Sequence, residues 1–187
     1  MFVLSPEIRY NILCMRKNSR LERRVERHKE LHRILNEHAK DILESENFKS
    51  TRNHVQHGSI PVHRHCIDVA KQSLLISRAL KIKVNERELV RGALLHDYFL
   101  YDWHDIKDFR EGLHGYRHPK RALDNASKEY ELSNREKDII SKHMWPLTLT
   151  KVPMYRESWI VTMADKYCSS LETLKLRKGA LNRKKNG

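Results

Sequence analysis

Ala93-Leu94-Leu95-His96-Asp97 closes an apolar run on two adjacent polar residues that are costly to bury without partners. The run opens at Asn85, three residues before Glu88, which is a capping-box pattern, and it carries Leu89, Ala93, Leu94 and Leu95 at helical spacing. The spacing predicts a helix with His96 and Asp97 at its C-terminal end. A His-Asp dipeptide says little by itself, because it also serves as a cap or a hydrogen-bonded structural pair. Its meaning depends on what converges on it.

Upstream, Ile60-Pro61 leads into Val62-His63-Arg64-His65-Cys66-Ile67-Asp68-Val69-Ala70. Ile67, Ala70, Leu74, Ser77 and Leu80 form one helical face, so His65 falls in the first turns of a buried helix. Downstream, Tyr98 to Gly115 is a polar and aromatic stretch too irregular to assign to an element, and its length suggests function. His118-Pro119 is expected to start the next helix, with Ala122, Leu123 and Ala126 on its apolar side. Ser133-Asn134-Arg135-Glu136 is a second capping box; it opens a helix through Ile139 and Ile140 to His143, which Trp145-Pro146 stops. After Pro153, the residues Ile160, Met163, Ala164, Tyr167, Leu171 and Leu174 define the apolar face of a last helix, with Asp165 nearby.

At the other end, Leu21, Val25, His28, Leu31, Leu35, Ala39 and Ile42 recur every three or four residues and predict a long helix from about Ser19 to Glu46. With six Gly and five Pro in 187 residues, helix formers dominate. The expected fold is an all-α bundle: a basic helical extension over residues 1–50, a main domain over 51–176, and a basic tail over 177–187.

Thirty-seven Lys and Arg against 24 Asp and Glu leave a net charge of +13, a field that attracts anions such as nucleotides, nucleic acid or phospholipid surfaces. Much of the excess lies in Arg16-Lys17-Asn18-Ser19-Arg20, Arg23-Arg24 and Arg183-Lys184-Lys185, where solvated helix faces are the plainer explanation. Cys14, Cys66 and Cys168 are too few and too scattered for a disulfide framework or a cysteine zinc site, so a reducing cytoplasm is expected. No stretch approaches the ~20 apolar residues of a membrane span.

His65 with Val69-Ala70, the His96-Asp97 pair about thirty residues later, and Ala164-Asp165-Lys166 together resemble the HD-domain phosphohydrolase superfamily, over roughly Asn53 to Leu174. The resemblance implies that His65, His96, Asp97 and Asp165 bind a divalent metal. His118 and His143 stand where two-metal members carry further ligands, so it also implies a dinuclear centre bridged by Asp97, with His96 and Asp97 at the heart of catalysis and a bridging water as nucleophile. Imidazoles with carboxylates suit divalent ions such as Fe, Mn, Zn, Ni, Co or Mg and leave positions open for water and a phosphate oxygen.

The implied reaction is hydrolysis of a phosphomonoester or phosphodiester. The expected substrate is a nucleotide or related small phosphorylated molecule, on the strength of the basic charge and of what other HD proteins hydrolyse. Arg117, Lys142 and Lys166, each beside a proposed ligand, are candidates to meet substrate phosphate, and His57 and His104 could enter the pocket. Two departures qualify the match: Tyr98 to His104 replaces the lysine that many members carry after the motif, and Gly115-Tyr116 is not the Gly-Tyr-Pro signature of the cyclic-di-GMP branch. Two other readings stay open. One is a nucleic-acid-binding or regulatory protein that keeps the fold with little or no turnover, with polyanion binding through the basic ends. The other is a partner-binding or oligomeric scaffold that uses the Leu21-to-Ile42 stripe.

Overall fold

The computed structural model describes the backbone of residues 6–57, 60–99 and 114–185, and side chains within 19–55, 60–99 and 116–174. Seven helices account for nearly all of the described secondary structure, and the fold is all-α. In chain order they are α1 (Pro6–Glu44), α2 (Glu46–Ser50), α3 (Val62–Ala79), α4 (Glu86–Leu95), α5 (His114–Glu129), α6 (Asn134–Lys142) and α7 (Arg156–Lys185). A 3-10 turn at Thr51–Asn53 and a short antiparallel ribbon, β1 (Val55–His57) with β2 (Ile60–Pro61), lead the chain into α3. No helix among the described residues is long and apolar enough to cross a membrane.

The bundle is organised around α3 and α4. The first packs against α4 and α7, while α4 also contacts α1 and α6, and α5 lies on α6. Leu74, Val69, Ala70, Leu89, Leu94, Leu95, Ile139, Ile140, Ile160 and Val161 fill the space between these helices. One buried cation ties three of them together: the Arg91 guanidinium on α4 donates to Glu136 on α6 at 3.0 Å and to both carboxylate oxygens of Asp41 on α1 at 2.7 Å. A buried Arg needs such carboxylate partners, and here they fix the order in which the helices pack.

The expected stripe on α1 divides in two. Leu31, Leu35, Ala39 and Ile42 join the core along with Ile34, whereas Leu21 and Val25 are exposed, and the helix begins at Pro6 rather than near Ser19. On α3, Ala70, Leu74 and Ser77 are buried as expected, but Leu80 lies at the C-cap and is exposed. Ser133 and Glu136 form a complete capping box at α6. At α4 only half of the box is present. Asn85 Oδ1 accepts from Glu88 N–H, but the Asn85 N–H donates to Glu157 on α7, and Glu88 pairs with Arg135 instead.

Two expectations are corrected. Pro119 does not open α5; it is the sixth residue of a helix that starts at His114, where the missing N–H removes only the bond to the Gly115 carbonyl one turn earlier. The buried face of α7 is also rotated from the apolar one. Met163, Tyr167, Leu171 and Leu174 are 38–52% exposed, while Ile160, Val161, Ala164, Asp165, Cys168 and Glu172 face inward. A periodicity counted from apolar residues alone misses this, because the polar residues of the site occupy the inner face.

Candidate metal centre

Helix ends aim the histidines. His96 is the C-cap of α4 and His143 the C-cap of α6, where the last carbonyls lack helical partners. Each ring uses one of them: His96 Nδ1–H donates to the Ala93 carbonyl at 2.8 Å, and His143 Nδ1–H to the Ile140 carbonyl at 2.9 Å. With the proton held on Nδ1, a neutral ring presents a bare Nε2 lone pair to the interior. His65 lies in the first turn of α3 and has its Nδ1 3.1 and 3.2 Å from the two carboxylate oxygens of Glu172 on α7. Its Nε2 also points inward.

These inward atoms gather around Asp97. Asp97 Oδ2 is 3.3 Å from His96 Nε2 and 3.8 Å from His65 Nε2, and Asp165 Oδ1 lies 3.2 Å from His65 Nε2 and 3.9 Å from His96 Nε2. The other oxygen, Asp97 Oδ1, is 3.1 Å from His118 Nε2 and 3.4 Å from His143 Nε2, and those two nitrogens are 2.8 Å apart. Two half-sites thus share one carboxylate. The first holds His65, His96, Asp97 and Asp165; the second holds Asp97, His118 and His143. All six side chains are buried. His65, His96 and Asp165, and separately His96, Asp97 and His143, bring one donor atom each within 4.8 Å of one another.

The donor set fits divalent cations. His96 Nε2 is fully buried with no hydrogen-bond partner, although a lone pair aimed at two carboxylates is an arrangement that a cation resolves. Without a cation, protons must take that part. Burial opposes a charged His65, yet the Asp165 and Glu172 carboxylates outweigh it and raise the imidazole to about 10. His96 is likewise raised despite its burial, chiefly by Asp97. Burial also resists ionisation of Asp97, but His96 and His118 hold it well below the usual carboxylate range. His143 goes the other way: burial, opposed by Asp97, pushes it down to about 4. One ring of the second half-site therefore stays neutral and available as a ligand.

The substrate-binding candidates are placed less uniformly. Lys166 Nζ is at the rim, 3.1 Å from Asp165 Oδ2 and 3.2 Å from the His143 carbonyl, and its side chain is 43% exposed. Lys142 Nζ is 2.5 Å from Asp138, whose carboxylate also accepts from Ser158 Oγ and the Met154 N–H, so it belongs to a structural cluster joining α6 to α7. Arg117 is exposed on α5, one residue before His118. His104 and the side chain of His57 lie outside the described residues, as do Trp103, Phe109 and the side chains of Arg16, Lys17 and Arg183–Lys185.

Glu172 was not among the residues expected from the sequence. Its signal was its position seven residues after Asp165, which puts both carboxylates on one face of α7. Phe99 packs edge-on against His118 with ring centroids 6.0 Å apart, and Tyr98 donates its hydroxyl to Glu129 at 2.9 Å. The start of the aromatic stretch therefore buttresses the second half-site from the α5 side.

Neither a curated protein nor a solved structure matches this chain. The family model described as HD domain matches residues 62–169, which includes all six residues of the two half-sites. On that match, spanning more than half of its length, the chain belongs to the HD domain family.

Proposed function

We propose that this protein hydrolyses a phosphate ester of a nucleotide or related small phosphorylated molecule, at a centre of two divalent cations that share Asp97. HD domains are generally metal-dependent phosphohydrolases, and membership carries that coarse chemistry. The division of the Asp97 carboxylate carries the finer reading, with Oδ2 toward His65 and His96 and Oδ1 toward His118 and His143. When bound, such ions supply Lewis acidity toward a phosphate oxygen and a water activated for attack at phosphorus.

The chain's own contribution is positional and electrostatic. His65, His96 and Asp165 would hold one ion, His118 and His143 the other, and Asp97 both. The carbonyls of Ala93 and Ile140 keep the His96 and His143 lone pairs turned inward, so little side-chain reorganisation accompanies loading. Lys166, half-exposed at the rim, is placed to offset the charge of an arriving phosphate, a task that Lys142 cannot share while it pairs with Asp138.

Metal analysis of the purified protein, followed by hydrolysis of a chromogenic phosphodiester, a chromogenic monoester and a nucleotide panel with Mn, Fe, Co, Ni, Zn or Mg, tests the reading. It predicts metal-dependent release of product from at least one nucleotide. Protein that binds none of these ions at micromolar concentration refutes the metal centre, and loaded protein inert toward the whole panel refutes the substrate class.

A further inference from the structure

Glu172 is 5% exposed, yet it is a carboxylate on a helix whose sequence neighbours Leu171, Thr173 and Leu174 face solvent. Its two oxygens lie 3.1 and 3.2 Å from a single atom, His65 Nδ1. Burying a carboxylate requires a partner that satisfies it. The partner here is the outer nitrogen of a ring whose inner nitrogen faces Asp165 and Asp97. Glu172 is therefore behind the imidazole and outside the donor set.

The position of His65 in its helix explains why it needs such a residue. His96 and His143 cap the C-terminal ends of their helices, where unpaired carbonyls three residues back accept the Nδ1–H. His65 is the fourth residue of α3, and the groups that lack helical partners at an N-terminal end are N–H donors. Among the described residues the acceptor comes instead from another helix. α7 supplies it two turns beyond Asp165, and one helix thereby faces both nitrogens of the same ring.

We propose that Glu172 is a positioning residue for the metal centre: its carboxylate accepts the Nδ1–H of His65, fixes that tautomer and ring orientation, and strengthens Nε2 as a donor in the half-site formed with His96, Asp97 and Asp165. This rests on the two-cation reading above. A carboxylate behind a ligating imidazole raises the basicity of the ring more than a neutral carbonyl does, so the first half-site should be the tighter of the two.

The test uses the full chain and zinc, which is diamagnetic, with chelator competition for affinity, circular dichroism for the fold and 15N NMR of the imidazoles for the tautomer. Glu172→Ala should weaken the tighter zinc site about 10- to 100-fold, the usual consequence of losing such an outer partner, and leave the weaker site and the helix content unchanged. Glu172→Gln keeps a side-chain oxygen at the same reach but without charge. Its affinity should fall less, and its His65 Nδ1–H proton should move upfield as the hydrogen bond weakens. Should Glu172→Ala not fold, Glu172→Gln decides the matter through that resonance. Wild-type protein that takes up no zinc refutes the metal centre itself. Wild-type protein that loads zinc, together with a Glu172→Ala of equal affinity or a Glu172→Gln with an unmoved Nδ1–H resonance, overturns the role of Glu172 alone.

Discussion

At Gly92 α4 runs close against Ile139 of α6, and replacing the glycine with alanine sets two effects of known size against each other. A Cβ built there would lie 2.5 Å from Ile139 Cδ1 and 3.0 Å from both Cβ and Cγ2 of the same side chain. Rotating Ile139 could relieve the first contact, but not the one with its Cβ, so α6 must move. Overpacking of this kind costs about 1–3 kcal/mol. Alanine is also better than glycine inside a helix by about 1 kcal/mol, which acts in the opposite direction. Because the Cβ contact is unavoidable, the cost lies in the upper part of its range, and the net loss is about 1–2 kcal/mol. For a chain of this size that lowers Tm by roughly 2–8 °C.

The site should register the same strain. Gly92 is four residues before His96 and Ile139 four residues before His143, so the helix contact lies one turn behind both C-cap histidines. Thermal unfolding of Gly92→Ala followed by circular dichroism, paired in a double-mutant cycle with Ile139→Ala, which removes the close Cδ1 and Cγ2 atoms, checks the account; the two changes together should cost less than the sum of each alone. A Gly92→Ala protein as stable as wild type, or more so, refutes it, since helix propensity would then outweigh the close approach.

Asp97→Ala removes the carboxylate common to both half-sites; bound metal should vanish by elemental analysis and hydrolysis should drop to background, with the helical signal largely retained. His143→Ala should leave one tightly held ion but cut turnover by on the order of 10²–10³-fold, the scale of losing one preorganised electrostatic partner; two ions held with wild-type affinity would contradict the second half-site. Metal-free protein should lose stability as pH rises. His65 has a folded value near 10 against 6.5 unfolded, so its contribution is complete below about 6.5 and disappears on the way to 10. Metal uptake should release protons over the same interval, which titration calorimetry in buffers of different ionisation enthalpy would detect, and uptake without proton release would count against the protonated apo site. Charge reversal at Arg16, Lys17, Arg20, Arg23 and Arg24 should weaken binding to RNA, DNA or anionic vesicles and flatten its salt dependence if the basic N-terminal half of α1 recruits polyanions; unchanged binding, with the tail also removed, would leave the charge as a solubility feature or a field that guides anionic substrates towards the site.

The residues that gather around Asp97 were legible in the sequence because each interrupts or ends an apolar helical pattern: His96 and Asp97 after Leu95, His143 after Ile140, and His65 early in the Val62 helix. Their distances were not, since these depend on how α3, α4, α6 and α7 cross. Asp165 does lie in the cluster, 3.2 Å from His65 Nε2, but the apolar face beside it was misjudged. Met163, Tyr167, Leu171 and Leu174 have the right period but look outward, because Asp165, Glu172, Glu157 and Ser158 hold the inner face through partners on other helices. Hydrophobicity cannot show such an exchange. Glu172 was hidden for the same reason: a glutamate at a helix position reads as a solvated charge until its partner is known. Pro119 misled differently, since its suitability for a first turn says nothing about helix that precedes it.

The pinning of His96 and His143 by carbonyls of their own helices has a consequence for how the site tolerates substitution. The aim of these two rings is set by the way α4 and α6 stop, since the acceptors are carbonyls in the last turns of those helices. A substitution elsewhere that leaves those two helix ends intact should therefore leave both imidazoles with the same heading.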